Sequence, residues 1–143
     1  MTGMEPGTPG ITVENHDDLT TKPSVTVHGD TEPPSELVTH DLVEGDGAEV
    51  AAGDSANVQY VGVSWSTGRE FDASWDRGAQ PFSFPVGAGR VIAGWDRGVV
   101  GMRAGGRRLL VIPPDLGYGA RGAGGVIGPD ETLVFVVDLV GVR

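Results

Sequence analysis

Tyr60, Phe71, Phe82, Phe84, Trp95, Tyr118 and Phe135, together with Val91, Ile92 and Ile127, are the side chains in this sequence best suited to holding an apolar ligand. A bare list of aromatics is first of all a hydrophobic core. Phe71, Trp95, Tyr118 and Ile127, however, fall at element boundaries and beside loops, whereas strand centres alone can fill a core. Rings gathered at boundaries are the makings of a concave apolar pocket, the usual form of a small-molecule site. Close to Phe71 stand Asp72, Asp76 and Arg77. They form either a solvated charge cluster worth little, or a bonded set at a pocket lip in which Asp72 faces Tyr60 and Arg77. Spacing leaves both readings open.

Other chemistries find no support. Gly117-Tyr118-Gly119-Ala120-Arg121-Gly122 fits G-x-G-x-x-G by its letters. A dinucleotide loop needs a strand before it and a helix after it. Here Pro113-Pro114 precedes it, and more glycine and Pro129 follow. His16, His28 and His40 do not match metal-ligand spacing. His40 would be the only base for a Ser-His-Asp arrangement within the folded part. With no cysteine, thiolate chemistry and disulfides are absent. No cofactor or metal is expected.

The elements that must position the rings follow from periodicity. Alternation predicts strands at Leu37–Val43, Asn57–Trp65, Glu70–Asp72, Gln80–Pro85, Arg107–Ile112 and Thr132–Val142. In the last, Leu133, Phe135, Val137 and Leu139 share one face and Val134, Val136 and Val140 the other, which places it centrally in the sheet. Ile92, Trp95, Val99 and Met102 recur at helical spacing and predict one helix that ends by Gly105-Gly106. A twisted sheet curling around that helix buries its stripe. The fold class is therefore α+β, an antiparallel half-barrel of five or six strands on one short helix.

Composition sets the remaining limits. The 143 residues suffice for one domain, and the net charge of −10 argues against nucleic-acid or anionic-membrane partners. No apolar run is long enough to span a bilayer and no secretory signal is visible, so a cytoplasmic monomer is expected. Residues 1–35 hold six acids against Lys22 and few apolar side chains. They are expected to be a disordered acidic tail, with Val25-Thr26-Val27 able to dock on a sheet edge as a short strand. The folded domain is then 36–143.

Within that domain, six runs appear in order: Val58-Gln59-Tyr60-Val61-Gly62, Gly68-Arg69-Glu70-Phe71-Asp72-Ala73-Ser74, Pro81-Phe82-Ser83-Phe84, Val91-Ile92-Ala93-Gly94-Trp95-Asp96-Arg97-Gly98-Val99, Pro113-Pro114-Asp115-Leu116-Gly117-Tyr118-Gly119 and Thr132-Leu133-Val134-Phe135. Their order and spacing resemble the FKBP-type peptidyl-prolyl cis–trans isomerases. The resemblance implies an isomerase of X-Pro bonds that assists protein folding, preferring an apolar X, without cofactor. It also implies inhibition by rapamycin and tacrolimus. Its catalytic set would be Tyr60, Asp72, Trp95, Tyr118 and Phe135. Trp95 would be the floor under the prolyl ring, Tyr118 a hydroxyl for a carbonyl and Asp72 a carboxylate at the lip. Phe71, Phe82, Val91, Ile92, Ile127 and Arg77 would bind substrate or inhibitor, Ile127 through its backbone. At Ala123–Gly125 many relatives carry a histidine and a proline that this chain lacks.

Overall fold

The computed structural model describes residues 9–28, 31–124 and 126–143. The expected disorder at residues 1–8, 29 and 30 lies outside the described residues, as does Gly125 in the departing loop. In chain order the described elements are β1 (Ile11–Glu14), β2 (Ser24–Val27), β3 (Val38–Val43), β4 (Ser55–Ser64), β5 (Glu70–Ala73), β6 (Phe82–Pro85), α1 (Ala93–Gly98), β7 (Arg107–Ile112) and β8 (Leu133–Val142). Short 3₁₀ turns occupy Ser74–Arg77, Pro114–Leu116 and Gly119–Arg121.

Six strands form one antiparallel sheet in the order β3-β7-β8-β4-β5, with β6 also paired to β4. The two-faced apolar strand β8 is central, as its alternation requires, with β7 on one side and β4 on the other. β4 is long enough to serve two partners along its outer edge. Ser55–Val58 pair with β6, and Val61–Val63 with β5. Between these ladders the Tyr60 N–H faces no strand. It donates to the Ser74 hydroxyl at 2.8 Å, which in turn donates to Gln59 Oε1 at 2.6 Å. A buried backbone donor left unpaired would cost free energy comparable to a lost hydrogen bond.

Leu133, Phe135, Val137 and Leu139 of β8 pack on the concave side with Val58, Tyr60, Trp95, Val99, Leu110 and Ile112. α1 lies against this face so closely that a Cβ on Gly94 would stand 2.5 Å from Ile112 Cγ2. The helix is shorter than its apolar stripe predicts. It ends at Gly98, and a positive φ of 90° at Gly101 turns the chain. Met102 still reaches the same core from beyond the helix.

The opposite face carries the main departure from the sequence reading. Residues 11–27 are not a disordered tail. β1 and β2 form a hairpin, with Ile11 opposite Val27 and Val13 opposite Val25. It packs on the convex side against Val61, Val63, Trp65, Leu109, Val111, Val134 and Val136. Composition undercounts this segment because Ile11, Val13, Val25 and Val27 alternate along the two strands and all join the convex cluster. An isolated two-stranded hairpin is at best marginally stable, so its stability comes from that sheet. β2 covers a face, and does not extend an edge.

Buried charge fastens the hairpin. Arg107, on β7, has a fully buried side chain and grips Asp138, its cross-strand neighbour on β8, through Nε–Oδ1 at 2.6 Å and Nη2–Oδ2 at 2.8 Å. The same guanidinium donates to the carbonyls of Asn15 and Thr21 in the β1–β2 loop. Trp65 Nε1 donates to Thr31 O at 3.2 Å, and Lys22 bridges Glu70 and Asp76 at 3.0 and 2.9 Å. Burial pushes the Asp138 carboxyl above its ordinary value, against the pull of Arg107. Arg107→Met would strand that carboxylate, and urea unfolding near neutral pH should show a loss of about 3–5 kcal/mol. The loss should shrink in acid, where the carboxyl is protonated, and Arg107→Met/Asp138→Leu should recover most of it. A loss no larger than that of a typical surface substitution would remove Arg107 as the fastener.

Candidate functional site

The concave face opens into a cavity of about 230 Å³ lined by Tyr60, Phe71, Asp72, Phe82, Arg90, Val91, Ile92, Trp95, Tyr118 and Phe135. They come from four strands, the helix and two loops. Tyr60 points inward from β4, Phe71 and Asp72 come from β5, Phe82 from β6 and Phe135 from β8. Val91 and Ile92 lead into α1, which supplies Trp95, and Tyr118 stands between two 3₁₀ turns. A larger hollow of about 490 Å³ shares only Phe71 with this cavity; Ser64, Ser66, Thr67, Arg69, Glu70 and Glu131 give it a polar wall. With more rings and fewer charges on its walls, the first suits an apolar ligand better than the second.

Trp95 is the fixed point. Its ring centroid lies 5.1 Å from Tyr60, 5.2 Å from Phe135 and 5.4 Å from Phe84. The Tyr60 and Phe135 contacts are edge-to-face at 75° and 82°, an arrangement worth about 0.5–1.5 kcal/mol per pair beyond area burial. Trp95 is buried and its indole N–H has no oxygen or nitrogen acceptor among the described residues. Phe82 and Tyr118 are 42% and 41% exposed, which puts both at the rim. The Tyr118 hydroxyl has no hydrogen-bond partner among the described residues, so it is available to a ligand.

Gly62 makes room for the far wall. A Cβ there would stand 2.6 Å from Phe135 Cε1 and 2.7 Å from Phe71 Cζ, whose rings meet edge-on at 5.5 Å. Gly62→Ala must push one ring off its rotamer. A destabilisation of about 1–3 kcal/mol should appear in thermal or urea unfolding, with weaker ligand binding than wild type. A neutral effect on both would mean that the rings yield without cost.

The lip is a bonded set, which settles the alternative left open by sequence. Tyr60 donates its hydroxyl proton to Asp72 Oδ2 at 2.6 Å. Arg77 donates through Nη1 to Asp72 Oδ1 at 2.6 Å and through Nη2 to the Tyr60 oxygen at 2.7 Å. Burial pushes the Asp72 carboxyl up, but the Tyr60 hydroxyl and the Arg77 guanidinium outweigh it and the net shift is downward. For Tyr60, burial and then the Asp72 bond raise the phenol, with Arg77 opposing. Across neutral pH the pair is a carboxylate and a neutral phenol. Because the folded value of Asp72 lies below its ordinary 3.8, its contribution to stability is present above that value and is lost as pH falls through the folded one. The stability gap between wild type and Asp72→Asn should therefore narrow below about pH 4. A gap independent of pH would contradict the ionised assignment.

Of the residues singled out by sequence, Tyr60, Phe71, Asp72, Phe82, Val91, Ile92, Trp95, Tyr118 and Phe135 all line the one cavity. Two do not. Arg77 stands behind Asp72 and Tyr60 and holds them. Ile127 is buried in the concave core, and its N–H donates to Ala123 O at 3.0 Å, so its backbone donor is already engaged. Phe84 lies beneath the cavity, packed on Trp95. Asp76 joins Lys22 instead of the lip. Arg90 is the lining residue that sequence reasoning passed over. Its position directly before Val91 was the available signal.

With this geometry in place, comparison with known proteins is decisive. The family model described as FKBP-type peptidyl-prolyl cis–trans isomerase matches residues 47–140. The chain belongs to that family. The FK506-binding protein of Streptomyces anulatus is 58% identical over 122 residues, covering 85% of this chain and 97% of its own. That of Neisseria meningitidis serogroup A is 50% identical over 105 residues, 73% of this chain and 94% of its own. Among solved structures, AtFKBP13 superposes with a TM-score of 0.69 at 39% identity, over 78% of this chain and 96% of that one. FkpA from Escherichia coli gives 0.67 at 41% identity over 75% of this chain, which spans only 48% of FkpA. These neighbours share the antiparallel sheet on one short helix. As a family member the protein is an isomerase of the peptidyl-prolyl cis–trans class. The family model begins at residue 47, so β1, β2 and β3 lie outside it.

Proposed function

We propose that the chain isomerises X-Pro bonds inside the aromatic cavity, acting as a cytoplasmic monomer on folding proteins and blocked there by rapamycin and tacrolimus. The observation that carries this reading is a ring-walled hollow whose polar groups are a carboxylate–phenol–guanidinium set at one lip, Arg90 on the wall and an unpartnered phenol at the rim. Amide rotation has a barrier of about 18–20 kcal/mol because it breaks resonance, and X-Pro bonds isomerise in tens to hundreds of seconds. A thousandfold acceleration needs about 4 kcal/mol of selective transition-state stabilisation. Neither nucleophile nor base is needed for that.

The twisted amide has less charge separation than the planar one. An apolar enclosure therefore disfavours the planar state relative to the twisted state, and the shape of the walls can select the twisted geometry. In this reading Trp95 supports the prolyl ring, while Tyr60, Phe82, Val91, Ile92 and Phe135 enclose it and Phe71 flanks the mouth. Tyr118 donates to a carbonyl of the substrate. Asp72, held by Tyr60 and Arg77, keeps the lip in one conformation and presents its remaining acceptor capacity to the peptide. Names of relatives as FK506-binding proteins support the macrolide part.

NMR exchange on a short peptide with an apolar residue before proline tests the reading. Wild type should accelerate exchange, and rapamycin should abolish the effect. Tyr118→Phe should slow it by about two- to tenfold, the worth of one neutral hydrogen bond, and Trp95→Ala by considerably more. Peptide binding without any acceleration would replace this reading with that of a proline-binding module.

A further inference from the structure

We propose that Arg90 makes the site selective for prolyl segments that carry an aspartate or glutamate beside the X-Pro pair. The inference rests on the isomerase site argued above and names a substrate class for it. Among the described residues, five of the ten Lys and Arg side chains are ion-paired: Lys22 with Glu70 and Asp76, Arg77 with Asp72, Arg103 with Glu49, Arg107 with Asp138 and Arg108 with Asp41. Of the other five, Arg90 alone lines the aromatic cavity, and no carboxylate among the described residues pairs with it.

The carboxylates of its surroundings are committed elsewhere. Asp96 accepts the backbone N–H of Gly87 at 2.8 Å and of Gly89 at 3.0 Å. Asp72 is bound by Tyr60 and Arg77, so the lip opposes an incoming acid less than its formal charge implies. The Asp96 clamp also fixes the turn that presents Arg90, since Gly87 and Gly89 both have positive φ. The result is an exposed guanidinium on a held loop, facing a ligand site in a chain of net charge −10. A guanidinium fork matches a carboxylate in two-point geometry, where a lysine would offer only a point charge. Elsewhere the excess negative charge of the molecule repels acidic peptides, so the attraction is local to the mouth.

The test uses peptides that share one apolar-X-Pro core and carry Glu, Gln or Lys either just before X or just after Pro. Values of kcat/KM by NMR exchange, and affinities by titration, are compared at low and high salt. For wild type the Glu peptide should exceed the Gln peptide by about two- to fivefold at low salt, the range of an exposed ion pair, in at least one of the two positions. The advantage should vanish at high salt. In Arg90→Gln the Glu/Gln ratio should fall to about one, and in Arg90→Glu the Lys peptide should lead. A wild-type ratio of one at both positions overturns the inference, and so does a ratio that survives Arg90→Gln. If the Gln peptide binds but is not turned over, the isomerase reading fails by itself, and the affinity ratios still decide the role of Arg90.

Discussion

A central strand that is apolar on both faces has to be covered twice, and everything else in this molecule follows from how the two covers are made. β8 sends Leu133, Phe135, Val137 and Leu139 to one side and Val134 and Val136 to the other. On the concave side the cover is α1, six residues long, and it leaves part of the sheet bare. That shortfall is the aromatic cavity. On the convex side the cover is the β1–β2 hairpin, whose Ile11 and Val13 pack with Val134 and Val136. The site thus exists because a short helix meets a wide, curved sheet.

The walls of the cavity show the same economy. β4 changes partner along its outer edge, and the Ser74 hydroxyl fills the resulting gap beside Tyr60. The 3₁₀ turn that carries Ser74 also carries Asp76 and Arg77. One turn therefore satisfies the backbone of the strand behind Tyr60, clamps the Tyr60–Asp72 pair and meets Lys22 from the hairpin. The convex cover and the cavity lip thus meet in one 3₁₀ turn, through Asp76 and Arg77 respectively. Rigidity at the lip, which any shape-selective enclosure needs, is supplied from both sides of the sheet.

Much of this was legible in the sequence, for physical reasons that can be named. Period-two alternation gave the strands to within two or three residues, and the two-faced pattern of β8 placed it centrally. Nine of the expected site residues converge because strands β4, β5, β6 and β8, the helix α1 and the loops beside it all bring one face to the same hollow. The failures also have causes. Ile127 is not among the residues lining the aromatic cavity, because it is buried in the concave core and its N–H bonds to Ala123 O. Helical periodicity overran α1 because Met102 reaches the core without being helical. The hairpin was missed because composition averages over a segment, whereas burial depends on which alternate positions are apolar. The convex face of β8 did hold the clue, since Val134 and Val136 could not be left in water. Arg90 is hard to single out because, by residue type alone, an arginine beside an apolar run is an ordinary exposed charge.

The hairpin also dictates an order of events. Arg107 reaches Asn15 and Thr21 across 92 and 86 residues of chain, and it grips Asp138 at the same time. A ribosome releases residues 11–27 well before residues 133–142, yet their docking surface is incomplete until β8 has paired. The early segment must wait, unsupported, for the late one. Contacts of such long reach slow the final closure of a chain.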